Sequence, residues 1–180
     1  MKTKKLVMCA VMTALSTVLC IYTVYRLPNG GGVTFASMVP IIMISLLYGA
    51  KYGIVSGVIY SLVQGVMGFY APPVQNFSSF LIVILFDYLI AFTVLGCADL
   101  FWKLFKRVKW AIPLCGTFTV FLRFLCHLVS GVAIWSAYAP EGQSPFAYSL
   151  VYNASYMIPE MIITAIVLVS LSNLIIKLRK

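Results

Sequence analysis

Asp87, Arg123, His127 and Glu160 are the side chains of this 180-residue sequence that most need a chemical explanation, because each falls inside a long apolar run. An ionisable group at mid-bilayer costs about 2.5–3.5 kcal/mol on insertion scales, so each must be paired or face a polar cavity. Arg123 and His127 are four residues apart and Gly131 and Trp135 continue the spacing. One drifting helical face therefore carries a cation, an imidazole, a gap and an indole. Asn153 is flanked by Tyr148, Tyr152 and Tyr156, which gives a later helix an aromatic and amide lining. An interfacial aromatic belt would account for the tyrosines. It does not account for Asp87, His127 and Asn153 in apolar surroundings together. With Asp87 and Tyr88 on one helix, His127 and Trp135 on another, and Tyr148 and Asn153 on a third, the set suits a flat, partly polar ligand, cations included. Aromatic faces attract cations, and a carboxylate accepts amino hydrogens.

The same residues argue against catalysis. A membrane enzyme using Asp87 and His127 as acid and base is the rival from a different class, but no nucleophile or second carboxylate stands near that histidine in the sequence. The five cysteines, Cys9, Cys20, Cys97, Cys115 and Cys126, lie in or beside apolar segments without CxxC spacing, so they read as packing residues and not as metal ligands. No cofactor, no metal and no enzymatic activity are expected. There is no GxxxxGK[ST] either, and the loop Pro28, Asn29, Gly30, Gly31, Gly32 lies between apolar segments, so ATP hydrolysis, if transport needs it, belongs to a partner.

The elements that position these groups must be membrane helices. The chain is 62% hydrophobic and 9% charged, against roughly 45–50% and 25% in soluble domains. Hydrophobic runs and breakers place spans near residues 5–25, 33–48, 52–70, 78–100, 112–137 and 147–176. The last is too long for one perpendicular helix, which predicts tilt or an early turn around 147–152. The breaks are RLPNGGG, YGAKYG, FYAPPVQN, FWKLFKRVKW and AYAPEGQSP, all but the fourth rich in turn formers. The first run is too long for a signal-peptide core of about 7–15 residues and reads as a retained helix. The expectation is one all-α domain, residues 1–180, formed by an integral membrane bundle of six transmembrane helices.

Orientation follows from the cations. With alternate loops on opposite sides, one side holds Lys2, Lys4, Lys5, Lys51, Lys103, Lys106, Arg107, Lys109, Lys177, Arg179 and Lys180, and the other holds Arg26. Both termini are therefore placed in the cytoplasm. The net charge of +9 reflects this topology and not a nucleic-acid surface, since the cations sit between apolar segments. Asp99, near the cytoplasmic end of the fourth span, is expected to pair with the basic loop that follows. Ala10 and Ala14 form a small-xxx-small step on which another helix could approach closely.

These residues resemble the thiamine-specific S components (the ThiT family) of energy-coupling factor (ECF) transporters, small six-helix vitamin-capture proteins of prokaryotes. The resemblance covers nearly the whole chain and is carried by LRFLCHLVSGVAIWSAYAPEGQSPFAYSLVYNASYMIP at 122–159, FDYLIAF at 86–92 and LPNGGGV at 27–33. It implies that Asp87, where the family also uses glutamate, binds the aminopyrimidine of thiamine. His127 and Trp135 would stack on its rings, Tyr148 and Asn153 would hydrogen-bond the pyrimidine, and Tyr88 would stand beside them. The family's lid tryptophan in the first outer loop has no counterpart here. The family's alanine motif, which contacts the transmembrane coupling subunit, looks like Ala10 and Ala14. The implied partners are thiamine, that coupling subunit, two ATP-binding subunits and the bilayer of a bacterial cytoplasmic membrane, with no nucleic acid. An S component for another vitamin is the nearest alternative. An autonomous secondary transporter is disfavoured by the lack of an internal repeat.

Overall fold

The structure, a computed structural model, describes residues 2–179. Lys180, one of the cations used for orientation, lies outside the described residues. Six helices and one two-stranded hairpin make up the described chain. Helix α1 (Lys2–Ile21) turns Cys9, Thr13 and Ser16 inward and leaves Val7, Val11, Leu15 and Val18 exposed. This inverted amphipathicity, polar in and apolar out, suits lipid as the surrounding solvent. The buried hydroxyl of Thr13 donates to Cys9 O at 2.8 Å, so it costs no unpaired donor.

The first two expected spans need correction. Helix α1 stops at Ile21, and β1 (Thr23–Arg26) pairs antiparallel with β2 (Gly32–Thr34), with Thr23 opposite Thr34 and a bulge before Tyr25. β-branched and aromatic residues at 22–25 and the glycine-rich turn at 30–32 favour a hairpin over a continued helix. The predicted helix at 33–48 is therefore helical only as α2 (Val39–Tyr48), which begins with Pro40 in its first turn. At 1.5 Å per residue it is about 15 Å long, half the hydrocarbon thickness of a bilayer. Residues Val39 to Leu47 are all buried, so α2 is the axis of the core, with Tyr60, Leu95, Trp102, Ile112 and Leu168 around it.

After Gly49 comes α3 (Ala50–Gly68), and then α4, a continuous helical run Phe77–Leu104. Asn76 caps α4, its side-chain oxygen accepting from Ser79 N at 2.8 Å. The run changes winding twice, with a π turn over Ile84–Leu89 and a 3₁₀ turn over Val94–Cys97. Helix α5 (Ala111–Ala133) ends two residues before Trp135, which belongs to a short 3₁₀ turn, Trp135–Tyr138. Helix α6 (Pro145–Arg179) is unbroken through 147–152, which leaves tilt and not an early turn of the two expected alternatives, and it carries Pro159 internally. Its 35 residues span about 52 Å, so its end extends past any bilayer-thick core. The two most extensive helix pairings in the fold are α5 with α6 and α3 with α4.

Among the described residues, four stretches are long and apolar enough to cross a membrane: Thr3–Ile21, Phe77–Leu104, Ala111–Ala133 and Pro145–Arg179. At the far end of the bundle from the hairpin turn, Asp99 is 1% exposed and pairs with Lys103 at 3.5 Å, Arg107 at 3.3 Å and Arg179 at 2.9 Å. The expected pairing with the basic loop is present, and the end of α6 joins it. Ser45 completes the join by accepting from Asp99 N at 3.0 Å.

Candidate functional site

The π turn in α4 carries Asp87 and Tyr88 in consecutive positions. A π turn closes hydrogen bonds five residues back and widens the helix, which brings neighbouring side chains closer in direction than an ordinary turn does. Both residues line one cavity of about 280 Å³, whose walls come from α1, α3, α4, α5, α6 and the hairpin. His127, Trp135, Tyr148 and Asn153 line it as well, so the structure brings all six sequence-predicted pocket residues to one space.

Asp87 is the hub. Its Oδ1 lies 3.0 Å from His127 Nδ1, while Oδ2 accepts from Ser130 Oγ at 2.6 Å and from the Trp135 indole N–H at 2.8 Å. A carboxylate has about four lone-pair sites, so three bound donors leave one acceptor position for a ligand N–H. The bond to Trp135 explains why the indole reaches the cavity although α5 has already ended. Ser130 was not anticipated, and its place three residues after His127 on the same helical face is the signal that could have found it. The position read as a gap, Gly131, is where α6 approaches α5: a Cβ there would stand 2.0 Å from Ser149 Oγ.

Asn153 is buried and held by its neighbours. Its Nδ2 donates to Ser149 O at 2.9 Å and lies 3.3 Å from His127 O, and its Oδ1 accepts from Tyr156 at 2.7 Å. Tyr148, Tyr152 and Tyr156 climb the same helix with ring centroids 5.8 and 6.4 Å apart. Tyr88 stacks on Phe69 at 5.3 Å, and its hydroxyl donates to Gly68 O and accepts from Tyr70 N, both at 2.9 Å. Arg123 and Glu160, recognised in the sequence only as buried ionisable groups, also line the cavity. Arg123 donates from Nε to His127 Nε2 at 3.2 Å and lies 4.3 Å from the Phe92 ring centroid.

The hairpin lines one side of the cavity and is fastened to α6 at two points. The Tyr152 hydroxyl donates to Gly30 O at 2.9 Å and accepts from Asn29 N at 3.0 Å. Glu160 Oε1 accepts from the backbone N–H and the hydroxyl of Thr34 at 2.6 and 2.7 Å. Gly31, at φ +81°, lies so close to Tyr156 that a Cβ would stand 2.6 Å from its ring. Asn29, Gly30, Gly31 and Gly32 of the loop excluded as a nucleotide loop thus line the cavity. Ala10 and Ala14 lie far from this network in chain and face outward on α1 among exposed apolar side chains. No cluster of metal-ligating side chains occurs among the described residues.

The comparisons agree with one another. The family described as "Thiamine transporter protein (Thia_YuaJ)" matches residues 6–180. "Thiamine transporter ThiT" of Bacillus subtilis is 34% identical over 177 residues, covering 91% of this chain and 88% of that protein. A protein of the same name from Lacticaseibacillus paracasei is 26% identical, over 72% of this chain and 68% of its own. A solved structure of ThiT from Listeria monocytogenes superposes with a TM-score of 0.75 at 20% identity, covering 99% of this chain and 98% of that one. That likeness shows the shared fold. With these matches and four apolar helices long enough to cross a bilayer, this chain is a multi-pass cell-membrane protein and belongs to the thiamine transporter protein (Thia_YuaJ) family.

Proposed function

We propose that this chain is the substrate-capture subunit of an ECF-type importer, a six-helix bundle with cytoplasmic termini that binds thiamine in the cavity beside the hairpin. A separate transmembrane coupling subunit and two ATPases would energise uptake. The observation that supports this reading is the arrangement around Asp87: one acceptor position left open, between an indole it orients and an imidazole it holds. A primary amine on an aromatic ring can fill that position, and the cationic second ring of thiamine meets the faces of Trp135 and the tyrosines. The names of the family and its relatives supply the substrate. Asp87, Tyr88, His127, Trp135, Tyr148 and Asn153 are the proposed ligand contacts, and Ala10 and Ala14 the proposed docking step for the coupling subunit.

The test is titration calorimetry of the purified protein with thiamine in the absence of ATP, with riboflavin and biotin in parallel. Saturable binding of thiamine alone is expected. Binding of another vitamin instead would overturn the substrate and leave the capture role standing.

A further inference from the structure

His127 is held between two partners of unequal freedom. A guanidinium can only donate, so His127 Nε2, 3.2 Å from Arg123 Nε, is an acceptor without a hydrogen. The proton of the neutral ring then belongs on Nδ1, which faces Asp87 Oδ1 at 3.0 Å. This tautomer is assigned from the partners, and both partners agree on it. Arg123 is itself fixed, four residues before His127 on α5 and packed on the Phe92 ring at 4.3 Å. Protonating Nε2 would set an N–H against an N–H and a second cation against the first.

We propose that Arg123 is a positioning residue that fixes His127 as the Nδ1–H tautomer, so that the imidazole donates to Asp87 and presents its ring face to a cationic ligand. The proposal rests on the reading of this cavity as the thiamine site. Both ring nitrogens are engaged, so His127 meets the ligand through its ring and not through a hydrogen bond. The groups lining this space are common to the protein and its Arg123 variants, so the comparison between them isolates the histidine.

His127 is the only histidine in the chain, so ¹⁵N-histidine labelling gives one pair of ring resonances. In the unaltered protein at about pH 7.5 a protonated Nδ1 and an unprotonated Nε2 are expected, and in Arg123→Met a mixture of the two neutral tautomers. A protonated Nε2 in the unaltered protein would overturn the proposal. Thiamine calorimetry supplies the second arm. For Arg123→Met affinity should fall about tenfold, because a ring free to take the other tautomer no longer always donates to Asp87. Arg123→Lys, whose ammonium also only donates, should restore both the tautomer and most of the affinity. An unchanged tautomer in Arg123→Met would reduce Arg123 to a packing role. If Arg123→Met does not fold, the resonances of the unaltered protein and of Arg123→Lys still decide. Failure of the unaltered protein to bind thiamine would sink the functional reading, while the resonances would still answer for the tautomer.

Discussion

At the scale of single residues, Asp87 is the group on which the proposed site turns. Asp87→Asn keeps the size but changes one acceptor oxygen into a donor, which opposes the N–H of either His127 or Trp135 and removes the charge that a cationic ligand meets. An unmatched charged hydrogen bond of this kind costs about 2–5 kcal/mol, so calorimetry should show thiamine affinity falling by at least about 30-fold. Trp135→Ala should lose less, because stacking and cation–π attraction contribute about 0.5–2 kcal/mol beyond contact area. A larger loss at Trp135 than at Asp87 would mean that the carboxylate serves the protein and not the ligand. Asp87, His127 and Asn153 were legible in the sequence because polar residues in apolar runs demand an explanation. Ser130 was not, since a serine can satisfy its hydroxyl within its own helix and so raises no demand. The direction of the Trp135 indole was equally hidden, because helical spacing placed it on a face that the end of α5 at Ala133 interrupts.

At the scale of elements, the hairpin is what sequence reasoning missed. The run from Val33 to Tyr48 is apolar enough to pass for a span, and hydropathy does not distinguish a buried ten-residue helix plus a strand from a continuous membrane helix. The clue lay in the turn: Gly30 and Gly31 both take positive φ, at 89° and 81°. Gly31→Ala therefore combines backbone strain with a collision against Tyr156, and the hairpin must lift from the cavity to accommodate it. The expected outcome is thiamine binding weakened mainly through faster dissociation, read by stopped-flow tryptophan fluorescence, with helix content by circular dichroism unchanged. Unchanged dissociation would show that the hairpin does not cover the ligand. The π turn was also beyond reach from sequence, since nothing in ILFDYL marks a change of winding. Its two consecutive cavity residues were found by chemical type alone.

At the scale of the whole molecule, charge and packing bear on how the bundle sits and what it meets. The join of Asp99 with Lys103, Arg107 and Arg179 lies in the cation-rich part of the chain, and the hairpin cavity lies toward the part that holds Arg26. Positive-inside bias then predicts that Lys106→Cys, in a cysteine-free background, is labelled by an impermeant maleimide only after the cells are opened. Labelling in intact cells would reverse the orientation. The outward face of α1 makes the last case. Ala10 and Ala14 are exposed there, and with Val7, Val11, Leu15 and Val18 around them they form an apolar strip with a shallow step. Lipid would tolerate that strip whatever its side-chain sizes, but a partner helix would not, because close approach in a membrane depends on small residues at the contact. Ala10→Trp and Ala14→Trp add bulk on the side away from the Asp87 network, so thiamine binding by the isolated protein should stay within about twofold of the unaltered value, well inside 1.4 kcal/mol. Uptake of labelled thiamine by cells carrying the complete transporter should fall at least about tenfold, as expected when a packed interface must open to admit an indole. Equal losses of binding and uptake would assign the face to support of the pocket, and no loss of either would leave it facing lipid.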